Sequence, residues 1–357
     1  MKILHVITSL QTGGAEKLMV EIIPQLINLG NEVELLVFNG VYTPFYKELE
    51  KKGIKIYNLG FYKNVYDIRN LFNLIKFFRK KSYDIVHTHN TAAQLFVAFL
   101  PKFKHFMITT EHNTNNRRRN WKWYKMIDRC MYSKYDKIIC ISNQAEINLK
   151  KYLGNTFNHK IITIYNGVNI DKFMNAVGNQ SASNHKKIIT MVAGFRSQKD
   201  QDTLIKAFSI LPKNKFELWL VGDGERRNEL EMLAKTEGVA ENTKFWGIRQ
   251  DVPCILKSSD LIVMSSHYEG LSLSSVEGMS VGKPFIASDV DGLHEITEGA
   301  GLLFKHGDYV QLANLILELT NDRKLYNKTA EKCLQRARQY DISKMVDGYI
   351  GVYQSLC

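Results

Sequence analysis

Short apolar runs alternate with amphipathic stretches along nearly the whole of the 357 residues, and this rhythm limits the fold more than any other feature. In the first half the strand candidates are 3–8, 33–38, 55–59, 84–89, 106–112, 137–142 and 160–164. Helical patterns lie between them at 15–29, 66–80, 92–100, 121–133 and 144–152. Strand alternating with helix predicts an α/β chain with parallel sheets covered on both faces. Around 175–187 the text turns polar and aperiodic, NAVGNQSASNHKK, and reads as a linker. The alternation restarts with strands at 188–193, 216–221, 244–247, 261–265, 285–288 and 302–304. Helices are expected at 202–210, 226–237, 252–256, 272–281 and 310–319, followed by a helical tail over 323–356. A chain of this length exceeds one ordinary core. The reading is two Rossmann-like domains facing across a cleft, the first over 1–174 and the second from 187. Their ligands are expected at the carboxyl ends of the strands.

Composition narrows the setting. No apolar run reaches the ~18–20 residues needed to span a bilayer, and MKILHVIT reads as a first strand rather than a signal peptide. Five cysteines are scattered without Cys-x-x-Cys spacing, so neither a disulfide framework nor a zinc site is expected, and the compartment is read as a reduced cytosol. The net charge of +12 is unevenly placed. Positions 1–178 hold 26 basic and 13 acidic residues, against 22 and 23 in the remainder. A nucleic acid, an anionic membrane surface or a phosphate-bearing acceptor would each answer that excess.

The stretch SSHYEGLSLSSVEGMSVGKPFIASDVDGLHE, 265–295, carries the most chemistry. An apolar strand leads into a turn at Glu269-Gly270, and a helix follows from about Ser272, stopped by Gly282 and Pro284. The first N–H groups of such a helix lack internal partners and lie at the positive end of its dipole, so Gly270, Leu271, Ser272 and Leu273 frame an anion site. Glu269 stands at its mouth and Glu277 about two turns in. Carboxylates accept from paired hydroxyls, so two of them beside a phosphate site describe a nucleotide-sugar. Two solvated glutamates eight apart by chance are the plain alternative.

Other loops fall at the same ends of strands. Gly13-Gly14 lacks both the dinucleotide and the Walker A pattern; it permits close approach to a phosphate or sugar, or is a tight turn. His87 and His89 share a strand face without a third ligand at convincing spacing, so one is expected to line the cleft and the other to be packed. His112, beside Glu111 and Asn113, stands at the same rim, as a donor to a ligand or as a structural histidine. Arg117, Arg118, Arg119, Trp121, Lys122 and Trp123 interleave cations with aromatics. That suits a membrane interface, a single-stranded nucleic acid or a solvated basic helix. Arg196 and Lys199, three apart after a strand, can clamp a diphosphate. Gly222-Asp223 forms another close-approach loop, and Ile248 offers its backbone to a base resting on the apolar wall at Phe245-Trp246.

With these residues assembled, the chain resembles the retaining glycosyltransferases of family 4, of GT-B fold, nearly end to end. The resemblance runs through Gly13-Gly14, Glu111-His112, Tyr165-Asn166-Gly167-Val168-Asn169 with Asp171 and Phe173, Gly194-Phe195-Arg196 with Lys199, Gly222-Asp223-Gly224, Phe245–Arg249 and Glu269…Glu277 with Gly282-Lys283-Pro284. Gly278 and Ser280 depart from it, Gly278 standing where an Ala is usual. The resemblance implies that Glu269 contacts the donor sugar and Glu277 the ribose, that Arg196 and Lys199 neutralise the departing diphosphate, and that His112 lines the sugar pocket. It also implies that Gly13-Gly14 lies beside the diphosphate or acceptor. No cofactor and no metal are implied, because two cations and a helix terminus supply the positive charge. The second domain would close at 338, and 339–357 would return to the first. The implied activity is hexosyl transfer from a nucleotide-sugar, UDP by family frequency, to a lipid-linked or glycan acceptor at the cytoplasmic membrane face in surface-polysaccharide synthesis. Epimerisation or hydrolysis of a nucleotide-sugar is the other enzyme class on this architecture. Nucleic acid is not expected, because the acidic pair and the neutral second half do not form a track for it.

Overall fold

The computed structural model describes residues 1–11, 13–60, 64–101, 104–112, 117–121, 123–178 and 186–357. The chain forms two units, Met1–Gly167 with Ile342–Cys357, and Val168–Asp341. In the first, seven strands form one parallel sheet in the order β3-β2-β1-β4-β5-β6-β7. They are β1 (Lys2–Ile7), β2 (Glu32–Val37), β3 (Lys55–Asn58), β4 (Ile85–His89), β5 (Phe106–Glu111), β6 (Lys137–Cys140) and β7 (Ile161–Thr163). The second unit holds β8 (Lys187–Val192), β9 (Phe216–Val221), β10 (Thr243–Gly247), β11 (Leu261–Met264), β12 (Phe285–Ser288) and β13 (Leu302–Phe304). They are parallel in the order β10-β9-β8-β11-β12-β13. The α/β class and the strands are those the alternation predicts. Helices cover both faces of such sheets, so the inner strands are buried: β4 and β11 are buried at every residue, β11 with apolar side chains alone and β4 with His87, Thr88 and His89 among them.

Three departures from expectation bear on the fold. The helix Pro44–Lys51 was not foreseen, although Thr43 caps it by accepting from the Tyr46 N–H at 3.2 Å and Pro44 occupies its first turn. The helical tail is broken into Arg323–Ala337 and Ile342–Gln354, with a 3-10 turn at Arg338–Tyr340 between them. The chain leaves the first unit at Gly167, before the expected end at 174, because Ile170 and Phe173 of the helix Ile170–Met174 are buried in the second unit's core. Outgoing and returning segments are joined there, Val168 donating its N–H to the Tyr340 carbonyl at 2.9 Å beside a bridge between Val168 and Asp341.

The last helix completes the first unit. Its Tyr349 and Tyr353 are fully buried, with Tyr353 Oη 2.7 Å from His87 Nδ1 and Tyr349 Oη 3.2 Å from Thr110 Oγ1. Strand order reverses at β1/β4 and at β8/β11. At such a point the connections leave toward opposite faces and open a crevice beyond the strand ends. The loops after β8 and β11, sixty-odd residues apart in sequence, therefore become neighbours.

The helix Leu273–Ser280 lies close on this second sheet because of one glycine. A Cβ added at Gly278 would stand 2.8 Å from Ile262 Cγ2 on β11, and that methyl belongs to a β-branched side chain with little freedom to turn away. Gly351, in the last helix, has open space at the same position. Gly278→Ala is therefore expected to lower the thermal midpoint, overpacking at about 1–3 kcal/mol exceeding a helix-propensity gain of about 1. Gly351→Ala should raise it. Calorimetry giving the same sign for both changes would contradict this packing.

Candidate functional site

In the second unit the loop after β8 runs from Gly194 to Asp200, and the loop after β11 from Ser265 to Ser272. They interlock through main chain and side chain. His267 donates its N–H to the Gln198 carbonyl at 2.8 Å, Gln198 Nε2 donates to the Tyr268 carbonyl at 2.8 Å, and Ser265 Oγ donates to the Asp200 carbonyl at 2.7 Å. Lys199 Nζ lies 2.5 Å from Glu269 Oε1, with side chains 19% and 7% exposed, and Ser266 Oγ donates to the same oxygen at 2.6 Å. Both of these bonds fall on Oε1. Lys199 and Glu269, assigned separately to diphosphate and sugar, are one contact.

Glu269 is held from behind by a backbone approach that the sequence did not reveal. Its N–H donates to the Asp291 carbonyl at 3.2 Å, and Gly292, at φ 80, packs so closely that a Cβ there would be 2.1 Å from the Gly270 carbonyl oxygen. Any other residue at 292 would push the Glu269-Gly270 turn out of place. The helix Leu273–Ser280 then begins at Ser272, whose side chain does not cap it. The Ser272 hydroxyl instead accepts from Ser275 Oγ at 2.8 Å. The leading N–H groups near Leu271, Ser272 and Leu273 are thus left for an anion, as the helix dipole favours. Glu277 is buried within this helix. Arg196 is exposed and makes no ion pair among the described residues, so its guanidinium is available to a ligand.

The next loops lock onto the first. Phe195 donates its N–H to the Asp223 carbonyl at 3.0 Å, and a Cβ on Gly222, at φ 138, would meet the Ala193 carbonyl at 2.0 Å. Gly222 is therefore a backbone-approach residue, and the Asp223 carboxylate is paired with Arg227 at 3.0 Å. Ile248 is largely exposed beyond Trp246, which packs edge-on against Trp219 at 5.0 Å.

In the first unit the rim is built of histidines. His5 Nδ1 is 2.9 Å from His89 Nε2, and His89 Nδ1 is 2.9 Å from His112 Nε2, a chain of three imidazoles. One of His87 and His89 was expected to line the cleft and the other to be packed; both are fully buried. His87 gives one nitrogen to Tyr353 and the other to Thr110, both at 2.7 Å, so it has no lone pair left for a metal, although His5, His87 and His89 are close enough to share one. His112 Nδ1 is buried and has no partner among the described residues. The chain fixes whether that nitrogen donates or accepts, because neutral imidazoles in series must point their protons the same way. His5, overlooked in sequence, was signalled by its place inside the apolar strand KILHVI.

Gly13 and Gly14 open the helix Gly14–Asn28, and the Glu16 carboxylate lies against them, where a Cβ on Gly13 would be 2.1 Å from Glu16 Oε2. Asn90 Nδ2 donates to Glu16 at 3.2 Å. A carboxylate already occupies the anion position here, so this turn favours a hydroxyl over a phosphate. The basic-aromatic segment also needs correction. Arg118 is buried against Asp128 at 3.2 Å, and Arg119 Nη2 is 2.8 Å from Glu111, which accepts from Gln94 at 2.7 Å and Tyr132 at 2.5 Å as well. These two arginines neutralise buried acids and do not reach a surface. Trp121 and Trp123 remain 57% and 60% exposed, stacked at 5.9 Å. Asn113, Lys122 and the Arg117 side chain lie outside the described residues.

Residues 12–172 match the family model for Glycosyltransferase Family 4, and residues 176–339 that for Glycosyl transferases group 1. An Escherichia coli enzyme, UDP-Gal:alpha-D-GlcNAc-diphosphoundecaprenol alpha-1,3-galactosyltransferase, is 27% identical over 309 residues, 80% of this chain and 79% of that one. Among solved structures, a glycosyltransferase from Rickettsia africae aligns at TM-score 0.84 and 22% identity over 99% of this chain and 98% of that one. Anabaena HepE in complex with UDP aligns at 0.83 and 20% over 99% and 100%. The two structural likenesses carry the fold.

Burial holds His5 at about 3 and His112 at about 4, the latter partly offset by Glu111, and keeps His87 and His89 well below the ordinary histidine range. Unfolded histidines titrate near 6.5, so between about pH 4 and 6.5 the unfolded chain binds more protons than the folded one. Stability should therefore fall as pH drops below 6.5, by up to about 1.4 kcal/mol per histidine per pH unit. Thermal unfolding between pH 7 and 5 should show a steep decline that His5→Gln makes shallower; a flat profile for the unchanged chain would refute the buried neutral cluster.

Proposed function

Because the chain belongs to the group 1, family 4 glycosyltransferases and has their GT-B fold, we propose that it transfers a hexose from a UDP-sugar to a lipid-linked or glycan acceptor, with retained anomeric configuration. The observation that carries this reading is the Lys199–Glu269 contact at the uncapped start of the helix Leu273–Ser280, with the exposed Arg196 on the same loop as Lys199. As the bond from sugar to diphosphate breaks, negative charge grows on the diphosphate. Arg196, Lys199 and the N–H groups of Gly270, Leu271, Ser272 and Leu273 stabilise it, preorganised and partly shielded from water. Glu269 keeps Oε2 for a hydroxyl of the donor sugar, and Glu277 takes the ribose hydroxyls. Gly222 brings backbone to the nucleotide, and Ile248 bonds the base.

In the first unit His112 offers Nδ1 to a sugar hydroxyl, and Gly13-Gly14, with Glu16 beside them, receives the acceptor rather than the diphosphate. The acceptor hydroxyl attacks from the face the diphosphate leaves, and a diphosphate oxygen takes its proton, so neither a protein nucleophile nor a metal at the diphosphate is required. The E. coli relative named above is, by its name, a UDP-galactose enzyme acting on a diphosphoundecaprenol-linked sugar, which supports a UDP-sugar donor and a lipid-linked acceptor. No helix among the described residues is long and apolar enough to cross a membrane. Contact with an anionic membrane on its cytoplasmic side is assigned to Trp121 and Trp123, whose exposed rings suit headgroup depth.

Glu269→Ala and Arg196→Ala should each reduce kcat/KM on a UDP-sugar by about 10²–10³, the effect of losing one charge-stabilising group. Unchanged donor affinity and unchanged turnover in both variants would end this reading. Replacing Trp121 and Trp123 together by Ala should weaken sedimentation with anionic vesicles while leaving UDP binding in place; equal sedimentation would remove the membrane assignment.

A further inference from the structure

Three side chains with no part in sugar transfer converge beside the Arg196–Lys199 loop. Asp200 ends that loop, His267 lies two residues before Glu269, and His306 follows β13. One ligand-capable atom from each falls within 4.8 Å of the other two. His267 Nδ1 and His306 Nε2 are in direct hydrogen-bond contact, their rings edge to face at 4.6 Å. Asp200 Oδ2 lies 3.8 Å from the first nitrogen and 3.9 Å from the second.

The carboxylate forms the floor of this cluster and the imidazoles its open side, with side chains 7%, 39% and 41% exposed. Asp200 is held there in two ways. Its backbone is left-handed, at φ 48, a region non-glycine residues seldom occupy. Its carboxylate caps the helix Gln201–Ser209, Oδ1 accepting from Thr203 N–H at 3.4 Å and Oδ2 from Thr203 Oγ1 at 2.7 Å. Metal-binding carboxylates are typically oriented by such outer hydrogen bonds.

We propose that Asp200, His267 and His306 form a site for a divalent transition metal of the zinc class. Two imidazoles and one carboxylate suit a borderline-soft ion, whereas magnesium and calcium favour all-oxygen sets. Around tetrahedral zinc, ligand atoms held at about 2.0–2.1 Å are about 3.3 Å apart. The cluster brackets that spacing, with the two nitrogens closer and the carboxylate oxygen farther, so small side-chain rotations centre an ion. Three protein ligands leave a fourth position to water or a bound molecule. The ion would tie together the loops after β8, β11 and β13. It would thereby position Lys199 and Glu269 from outside the diphosphate site, without touching the reacting atoms.

The site is tested without donor or acceptor, so its outcome is separate from that of the transfer reading. The full chain, stripped with chelator and with its exposed Cys130, Cys254 and Cys357 capped by iodoacetamide, is titrated with Zn²⁺ by calorimetry. One equivalent is expected to bind, His267→Gln or His306→Gln weakening it about 10–100-fold. His294→Gln, which alters a histidine paired with Asp289, should leave binding unchanged. Co²⁺ in place of Zn²⁺ should give visible ligand-field absorption that both site variants lose. Because both histidines are well exposed, the variants should keep the metal-free thermal midpoint, which shows that any lost binding is not lost folding. Absence of stoichiometric binding, or binding equal in the unchanged chain and both site variants, overturns the proposal.

Discussion

A lysine pressed against a glutamate where two parallel strands part is the contact on which the second unit's chemistry depends. In an exposed setting such a pair contributes about 0–1 kcal/mol. Lys199 and Glu269 are mostly buried, and a carboxylate left alone there would carry a large desolvation cost. The pair therefore holds the two loops together before any ligand arrives, and an incoming diphosphate competes with Glu269 for the ammonium. Sheet topology is what makes this possible. With β8 and β11 adjacent and parallel, their carboxyl ends share one edge, and residues seventy apart in sequence meet.

The first unit solves a different problem. Its histidine cluster is polar but uncharged: four histidines buried deeply enough to stay neutral, joined by hydrogen bonds among themselves, to Thr110 and to a tyrosine of the last helix. A neutral imidazole at His112 can serve a hydroxyl, in the direction the imidazole chain sets, without adding charge. The positive charge that dominates the sequence of this half is elsewhere. Part of it, at Arg118 and Arg119, is consumed by the buried acids Asp128 and Glu111.

Much of this was legible in the chain. Alternating patterns have a period that backbone geometry imposes, so the strands and the α/β class could be read directly. The Glu269 turn, Glu277 and Lys199 were legible because turn glycines, a helix stop and a preceding strand mark the place locally. What stayed hidden depends on neighbours distant in sequence. Gly292 matters only because the Glu269-Gly270 carbonyls press on it. Arg118 and Arg119 look like a solvated run until the fold supplies their acids. His5 and Glu16 gain meaning only beside His89 and Gly13. The unit boundary shifted because two apolar side chains, Ile170 and Phe173, outweigh the polar character of the text around them.

The last helix carries a consequence for how the molecule comes into being. Tyr349 and Tyr353 lie under β4 and β5, yet they are synthesised only after the whole of the second unit. The second unit is continuous and can condense as soon as it is synthesised, while the earlier-made sheet waits with His87 and Thr110 lacking their tyrosine partners. Domains more often fold in the order of their synthesis. Here the order of completion is inverted, and a nascent chain stalled between the second unit and this helix would hold a finished second unit and an unfinished first.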